Sequence, residues 1–282
     1  MKIVGFTINL QAKENEDAFF YWQEGSRGIA VVADGITRDP IGMPEFPDES
    51  DEEGIMEFWK KYPKYSHAKK AAGIFCKTFF DFLMKGKNRF DKAFEFANFK
   101  IKALNKDLKL GSDYLEKDFA GCTAVGVEIS KGTLNWGFVT DCGLAIFNSK
   151  GLKFRTENFM KNTSDYMEKV YKKEGKTWNN PEMREFARRE LRNKEVFSGK
   201  NQVGYGAFTG EEEALNFLHI GKHKVFPGDH IFLYSDGMEP IVYSKEFEEN
   251  LKKYSFNGLQ RFCRMKAEGI KMTEGSLIAV QI

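Results

Sequence analysis

Apolar positions in this chain follow two rhythms. The first is the short continuous run bounded by Gly, Pro or polar residues, which marks a strand buried on both faces. Gly28-Ile29-Ala30-Val31-Val32-Ala33 and His230-Ile231-Phe232-Leu233-Tyr234-Ser235 are the clearest of these. Further strands are predicted at residues 3–10, 18–22, 123–129, 133–140, 144–148, 152–156, 215–220 and 276–282. Lys131-Gly132 and Lys150-Gly151 fall between strands as hairpin turns. The second rhythm is helical. Ala68, Ala71, Ala72, Phe75, Phe79, Phe82 and Leu83 share one face of a helix predicted over 66–85. Phe90, Ala93, Phe94, Ala97, Ile101 and Leu104 do the same over 89–110. Shorter helices are predicted at 164–174, 181–194, 246–254 and 259–266, the second opening on Pro181 in a first-turn position.

Two stretches follow neither rhythm. Residues 36–65 are Pro-rich and locally acidic (Pro40, Pro44, Pro47 and Pro63; Asp48, Glu49, Asp51, Glu52 and Glu53). A segment of this length without periodicity reads as a functional flap or as a solvated insertion. Residues 199–210 read as a Gly-rich polar loop. No internal repeat and no linker interrupts the chain, so residues 1–282 are expected to form one domain. Antiparallel strands early and late, with two helices after the third strand, place it in the α+β class of layered folds.

Composition narrows the picture. In 282 residues, 41% hydrophobic content and 27 Phe suffice for a large core. Forty-three basic against 41 acidic residues leave a net charge of +2, so no global field marks a nucleic-acid binder. The N-terminus lacks the apolar core of a signal peptide, and no run approaches the roughly 18 apolar residues of a membrane span. Cys76, Cys122, Cys142 and Cys263 are scattered without a C-x-x-C pair, which points to a reducing cytoplasm.

The candidate chemistry lies in carboxylates at strand ends: Glu16, Asp17, Asp34, Asp141, Asp236 and Glu274. Asp34-Gly35 and Asp236-Gly237 each end an apolar run. Each dipeptide alone reads as a tight turn more readily than as a ligand. Six acids beside buried strands are costly to gather unless cations bind there. Oxygen donors without His or Cys select Mg²⁺ or Mn²⁺ over zinc. No P-loop, G-x-G-x-x-G or serine elbow is present. Cys122 and Thr123 read as interior packing, and the dispersed His67, His219, His223 and His230 as surface or structural residues.

The order of the motifs resembles the metal-dependent protein phosphatases of type 2C. The series runs Asn15-Glu16-Asp17-Ala18, Val31-Val32-Ala33-Asp34-Gly35 and Gly121-Cys122-Thr123-Ala124-Val125. It continues through Val139-Thr140-Asp141-Cys142-Gly143 and Pro227-Gly228-Asp229 into Tyr234-Ser235-Asp236-Gly237, and closes on Ser276-Leu277-Ile278-Ala279-Val280. The resemblance spans residue 3 to the C-terminus. It implies a four-layer α-β-β-α sandwich of two mainly antiparallel sheets, with two Mn²⁺ or Mg²⁺ ions at one end and a third, weaker one in many members. It also implies that Asp34 bridges two ions, that the Gly35 carbonyl reaches one through water, that Glu16 sits beside an ion, that Asp17 orients its waters, and that Asp236 binds the second ion. Asp141 falls where the third ion would bind.

Two positions depart from the family pattern. Many members carry a phosphate-clamping arginine where this chain has Ala12, with Lys13 adjacent; Arg38 is a second candidate, with a salt bridge to Asp39 or to the acidic segment as its plain alternative. Where the family has Asp-Asn or Asp-Asp before the last strand, this chain has Thr273-Glu274-Gly275. Either Glu274 substitutes with its longer arm or one ion is held more weakly. The expected activity is hydrolysis of phosphoserine or phosphothreonine in a protein partner by a metal-bound water. The chain is expected to act as a monomer, without nucleic acid or membrane. A phosphatase of small phosphorylated metabolites and a catalytically weak binding module are the alternatives.

Overall fold

In a computed structural model the described residues are 1–10, 14–36, 43–44, 47, 51–86, 89–108, 120–171, 175–176, 180–251, 256–270 and 272–282. Among them, β1 (Lys2–Asn9), β12 (Glu274–Gln281), β11 (His230–Tyr234), β6 (Gly143–Asn148) and β7 (Gly151–Arg155) form one sheet in that order. A second sheet has the order β10 (His219–Lys224), β5 (Thr133–Val139), β4 (Gly121–Ser130), β3 (Arg27–Ile36) and β2 (Ala18–Glu24). All strand pairs within both are antiparallel.

Alternation along single strands explains the layering. Ile29, Val31 and Ala33 of β3 face Phe75, Phe79, Phe94 and Ile101 of the helices α2 (His67–Met84) and α3 (Phe90–Leu108). Ala30 and Val32 face the other way and meet Leu144, Ile146, Ile231, Leu233, Ile278 and Val280 between the sheets. The opposite face of the first sheet carries Ala145, Phe232, Tyr234, Leu277 and Ala279. It packs on α6 (Glu239–Val242), α7 (Lys245–Leu251) and α8 (Phe256–Gly269). The result is the expected α-β-β-α sandwich. Runs such as Ile231-Phe232-Leu233 are continuous because the central strands are covered on both faces.

A smaller cluster of Met167, Met183, Ala187, Leu191, Val203 and Tyr205 lies under α4 (Met160–Tyr171), α5 (Pro181–Phe186) and the short strands β8 (Phe197–Ser198) and β9 (Asn201–Gln202). No described helix is long and apolar enough to cross a membrane.

Four expectations are corrected. The strand expected at 215–220 is a 3-10 turn, Glu212–Phe217, followed by β10. Leu215 packs against the helix-covered core, whereas the paired segment is the polar His219–Lys224, held along the edge of the second sheet by β5. The helix expected over 181–194 ends at Phe186 and continues only as a π turn, Ala187–Leu191. The segment 199–210, read as a loop, contributes Asn201–Gln202 to the β8–β9 pair. The segment 36–65 is not without structure: α1 (Glu52–Lys61), capped by Asp51 accepting from Gly54 N at 2.8 Å, buries Phe58.

Candidate metal centre

Asp34 does not end its strand. The ladder continues through Asp34↔Thr123 and Gly35↔Cys122 to Ile36↔Gly121. Neither Gly35 nor Gly237 has a positive φ, so neither is there for a left-handed backbone. Each is needed for close approach. A Cβ on Gly35 would lie 2.8 Å from both the Ala68 carbonyl carbon and the Glu16 carbonyl oxygen. On Gly237 it would lie 1.9 Å from the Glu274 carbonyl oxygen. The two glycines therefore press both Asp-Gly motifs against the segments that carry the other acids.

The preceding loop is rigidly built. Asn15 is buried; its Nδ2 donates to Thr7 Oγ1 at 2.7 Å and Ile8 O at 3.1 Å, and its Oδ1 accepts from Asp17 N at 2.7 Å. Asp17, 3% exposed, accepts from Ser235 Oγ at 2.8 Å, and that oxygen in turn accepts from Ser276 N at 2.9 Å. Glu16, 1% exposed, accepts from Tyr62 Oη at 2.8 Å and from Ser66 Oγ on the same oxygen. Its amide donates to Glu274 Oε2 at 2.9 Å. Glu274 is thus the acid that β12 turns toward this loop, while Thr273 is exposed.

The carboxylates share one electrostatic environment. Asp17 is pushed up to about 7 by burial first and by Glu274 next, against the opposing hydrogen bonds of Ser235 and Ser276. Asp141 is pushed up to about 7, by burial and then by Asp236, with Thr123 donating in opposition. Burial, Asp17, Asp236 and Asp141 hold Asp34 well above the ordinary carboxylate range. Asp236 is exposed, in the 3-10 turn Asp236–Met238 that follows β11. Asp17 Oδ1 and Asp141 Oδ1 are buried and make no hydrogen bond.

Among the described residues no three of these groups form a ready-made chelate. The acids act on one another: Asp17, Asp236 and Asp141 on Asp34, and Glu274 and Asp236 on Asp17. Mutual repulsion opposes closer approach unless cations lie between them. Two orphaned carboxylate oxygens, an all-oxygen donor set and the raised carboxyls of Asp17, Asp34 and Asp141 fit hard divalent ions.

The structure brings Glu16, Asp17, Asp34, Asp141, Asp236 and Glu274 to one end of the sandwich, with Gly35 beside them. Lys13 and Arg38 lie outside the described residues. Sequence reasoning missed the hydroxyl donors Tyr62, Ser66, Ser235, Ser276 and Thr123. Ser235 and Ser276 each adjoin a motif glycine or acid and could have been found from that adjacency. Tyr62 carries no sequence signal, because only the fold places it on Glu16. The thiols of Cys122 and Cys142 are fully buried and pushed up by that burial, which suits packing rather than nucleophilic attack. His219 stacks on Phe159 at 4.3 Å.

Two packed antiparallel sheets with helices on both outer faces, and an acidic cluster at one end, give this chain the fold of the type 2C protein phosphatases. The catalytic domain of the serine/threonine protein phosphatase PstP, in complex with two manganese ions, is 16% identical with a TM-score of 0.62, covering 99% of this chain and 97% of that one. The serine/threonine phosphatase Stp1 from Staphylococcus aureus is 13% identical at TM-score 0.61, over 100% of this chain and 94% of that one. RsbX in complex with magnesium is 11% identical at TM-score 0.55, over 99% and 94%. No family model matches the chain, and no curated protein sequence matches it.

Proposed function

We propose that this chain is a metal-dependent phosphatase acting on phosphoserine or phosphothreonine in proteins, with residues 1–282 as its one catalytic unit. The observation that carries the reading is the gathering of Asp17, Asp34 and Asp141, all with raised carboxyls and two with orphaned oxygens, at one end of this fold. Asp34, Asp236 and Asp141 would hold Mn²⁺ or Mg²⁺, with Glu274 and the Gly35 carbonyl in support. When bound, the ions supply an acidified water and a positive seat for phosphate. Asp17, fixed by Asn15 and Ser235, would orient water and take its proton. The crowded acids repel a phosphate dianion, so a cation from the chain is needed on its outer oxygens. Arg38, four residues beyond Asp34, is that residue in this reading, with Lys13 in reserve.

The deciding experiment is hydrolysis of a chromogenic phosphate ester and of a phosphothreonine peptide by the purified chain, with Mn²⁺ and after chelation. Turnover of both with Mn²⁺, and of neither after chelation, is expected. Full activity after exhaustive chelation would end the metal reading, and turnover of the small ester alone would favour a metabolite phosphatase. A second reading, a binding module with weak catalysis, is favoured by the absence of a ready-made chelate among the described residues and by Thr273-Glu274 where the family has Asp-Asn or Asp-Asp. Metal-dependent turnover separates the two.

A further inference from the structure

The Glu16-Asp17 loop is gripped from one side by a single stretch of chain. Tyr65 N donates to Glu14 Oε2 at 2.7 Å, Tyr62 Oη to Glu16 Oε1 at 2.8 Å, Ser66 Oγ to the same oxygen, and Lys69 Nζ to the Asp17 carbonyl. Four contacts from residues 62–69 thus meet three residues of this loop, Glu14, Glu16 and Asp17. Ser66 serves two roles, because its Oγ also accepts from Lys69 N at 3.1 Å and so caps α2. Tyr62 follows the last residue of α1 as its C-cap. It is 7% exposed, and its ring sits 5.1 Å from Trp59 and 6.0 Å from Phe58, both on α1. Burial and the adjacent Glu16 raise the phenol's affinity for its proton, so it remains a donor across the working range.

We infer that Tyr62 is a positioning residue for the metal centre: its hydroxyl helps fix the Glu16 carboxylate, and through it couples α1 to metal affinity. This rests on the metal-centre reading above. A carboxylate 1% exposed beside metal-binding acids takes its orientation from the groups that donate to it. Here one of those donors belongs to an element that packs on the loop from outside the two sheets. Movement of α1 would withdraw the Tyr62 hydroxyl and leave the Glu16 carboxylate with one donor fewer, while β3, which carries Asp34, stays in place. α1 would then act on metal occupancy without touching the ions.

The test is calorimetric titration of Mn²⁺ into the purified chain without substrate, beside thermal unfolding in chelator. Tyr62→Phe keeps the ring and removes only the donor, so an affinity about tenfold weaker at nearly unchanged Tm is expected. Trp59→Phe, which loosens the packing of α1 on Tyr62 but keeps the hydroxyl, should weaken it less, by about two- to threefold. Unchanged affinity in Tyr62→Phe would overturn the inference, and unchanged affinity in Trp59→Phe would overturn the coupling to α1. Should Tyr62→Phe fail to fold, Ser66→Ala removes the partner donor on the same oxygen. Its lost cap lowers Tm by itself, but a weaker Mn²⁺ isotherm requires Glu16 to have moved. A wild-type chain that takes up no Mn²⁺ would overturn the metal centre and this inference together. A normal wild-type isotherm matched by Tyr62→Phe would overturn this inference alone.

Discussion

Asp34-Gly35 and Asp236-Gly237 are the same dipeptide after the same kind of apolar run, yet the fold uses them differently. Asp34 lies within a paired strand, partly buried, its carboxyl raised by burial and three neighbouring acids. Asp236 is exposed, on a 3-10 turn beyond its strand. Both glycines serve close backbone approach, against Ala68 and Glu16 in one case and Glu274 in the other. A shared motif therefore reports a shared need for space beside a carboxylate. It does not report a shared environment for the carboxylate itself. That difference assigns the electrostatic cost of the site mainly to the Asp34 side.

The largest expected effect removes each acid in turn. Asp34→Asn and Asp236→Asn should each lower Mn²⁺-dependent turnover by about a hundredfold or more. They should differ without metal. In chelator, Asp34→Asn is expected to raise Tm by relieving burial and repulsion, whereas Asp236→Asn, exposed, should change it little. Equal stability shifts would erase the distinction between the two motifs.

The acids next to Asp34 make the same contrast visible through pH. Asp17 and Asp141 rise from an ordinary 3.8 to about 7 in the folded chain. Between those values the folded state holds more protons than the unfolded one, so stability falls as pH rises. In chelator, stability should therefore be highest near the acid end of that window, decline toward pH 7 and level off above it. Urea unfolding across the range checks this, and saturating Mn²⁺ should flatten the decline. A chelated chain that gains stability toward pH 7 would contradict the buried-carboxylate account.

Next come the glycines. Gly35→Ala and Gly237→Ala should each cost about 1–3 kcal/mol in urea unfolding, Gly237→Ala more, because its Cβ would meet backbone at the shorter distance. Arg38→Ala tests the loop just beyond the first motif. It should lower kcat/KM about tenfold, a cost of about 1.4 kcal/mol, with Lys13→Ala doing less. The reverse order would exchange their roles, and silence in both would leave phosphate to the metals. The smallest effect is a control. Gly73, inside α2 with open space around its Cβ position, should gain about 0.5–1 kcal/mol as alanine.

Much of this architecture was legible from sequence because its signals are local. An apolar run such as Val31-Val32-Ala33 is continuous only where both faces are covered, and the phenylalanines of α2 and α3 repeat at helical spacing wherever they end up packing. Motif order along the chain carried the layered arrangement and six acids. Local reading failed where pairing overrode pattern. His219–Lys224 became a strand because β5 offered it a free edge, although its own residues are mostly polar. α1 was hidden by the prolines and acids around it.

What the sequence by itself determined is which residue types exist near strand ends: carboxylates, and glycines to make room for them. Only the tertiary structure decided which strand end meets which. Ser235 reaches Asp17 across 218 positions of chain, and Glu274 reaches the Glu16 amide across 258. Tyr62 stands on Glu16 for the same reason. A hydrogen bond depends on separations of about 3 Å in space, and no pattern of neighbours in the chain encodes a contact between segments that the core alone brings together.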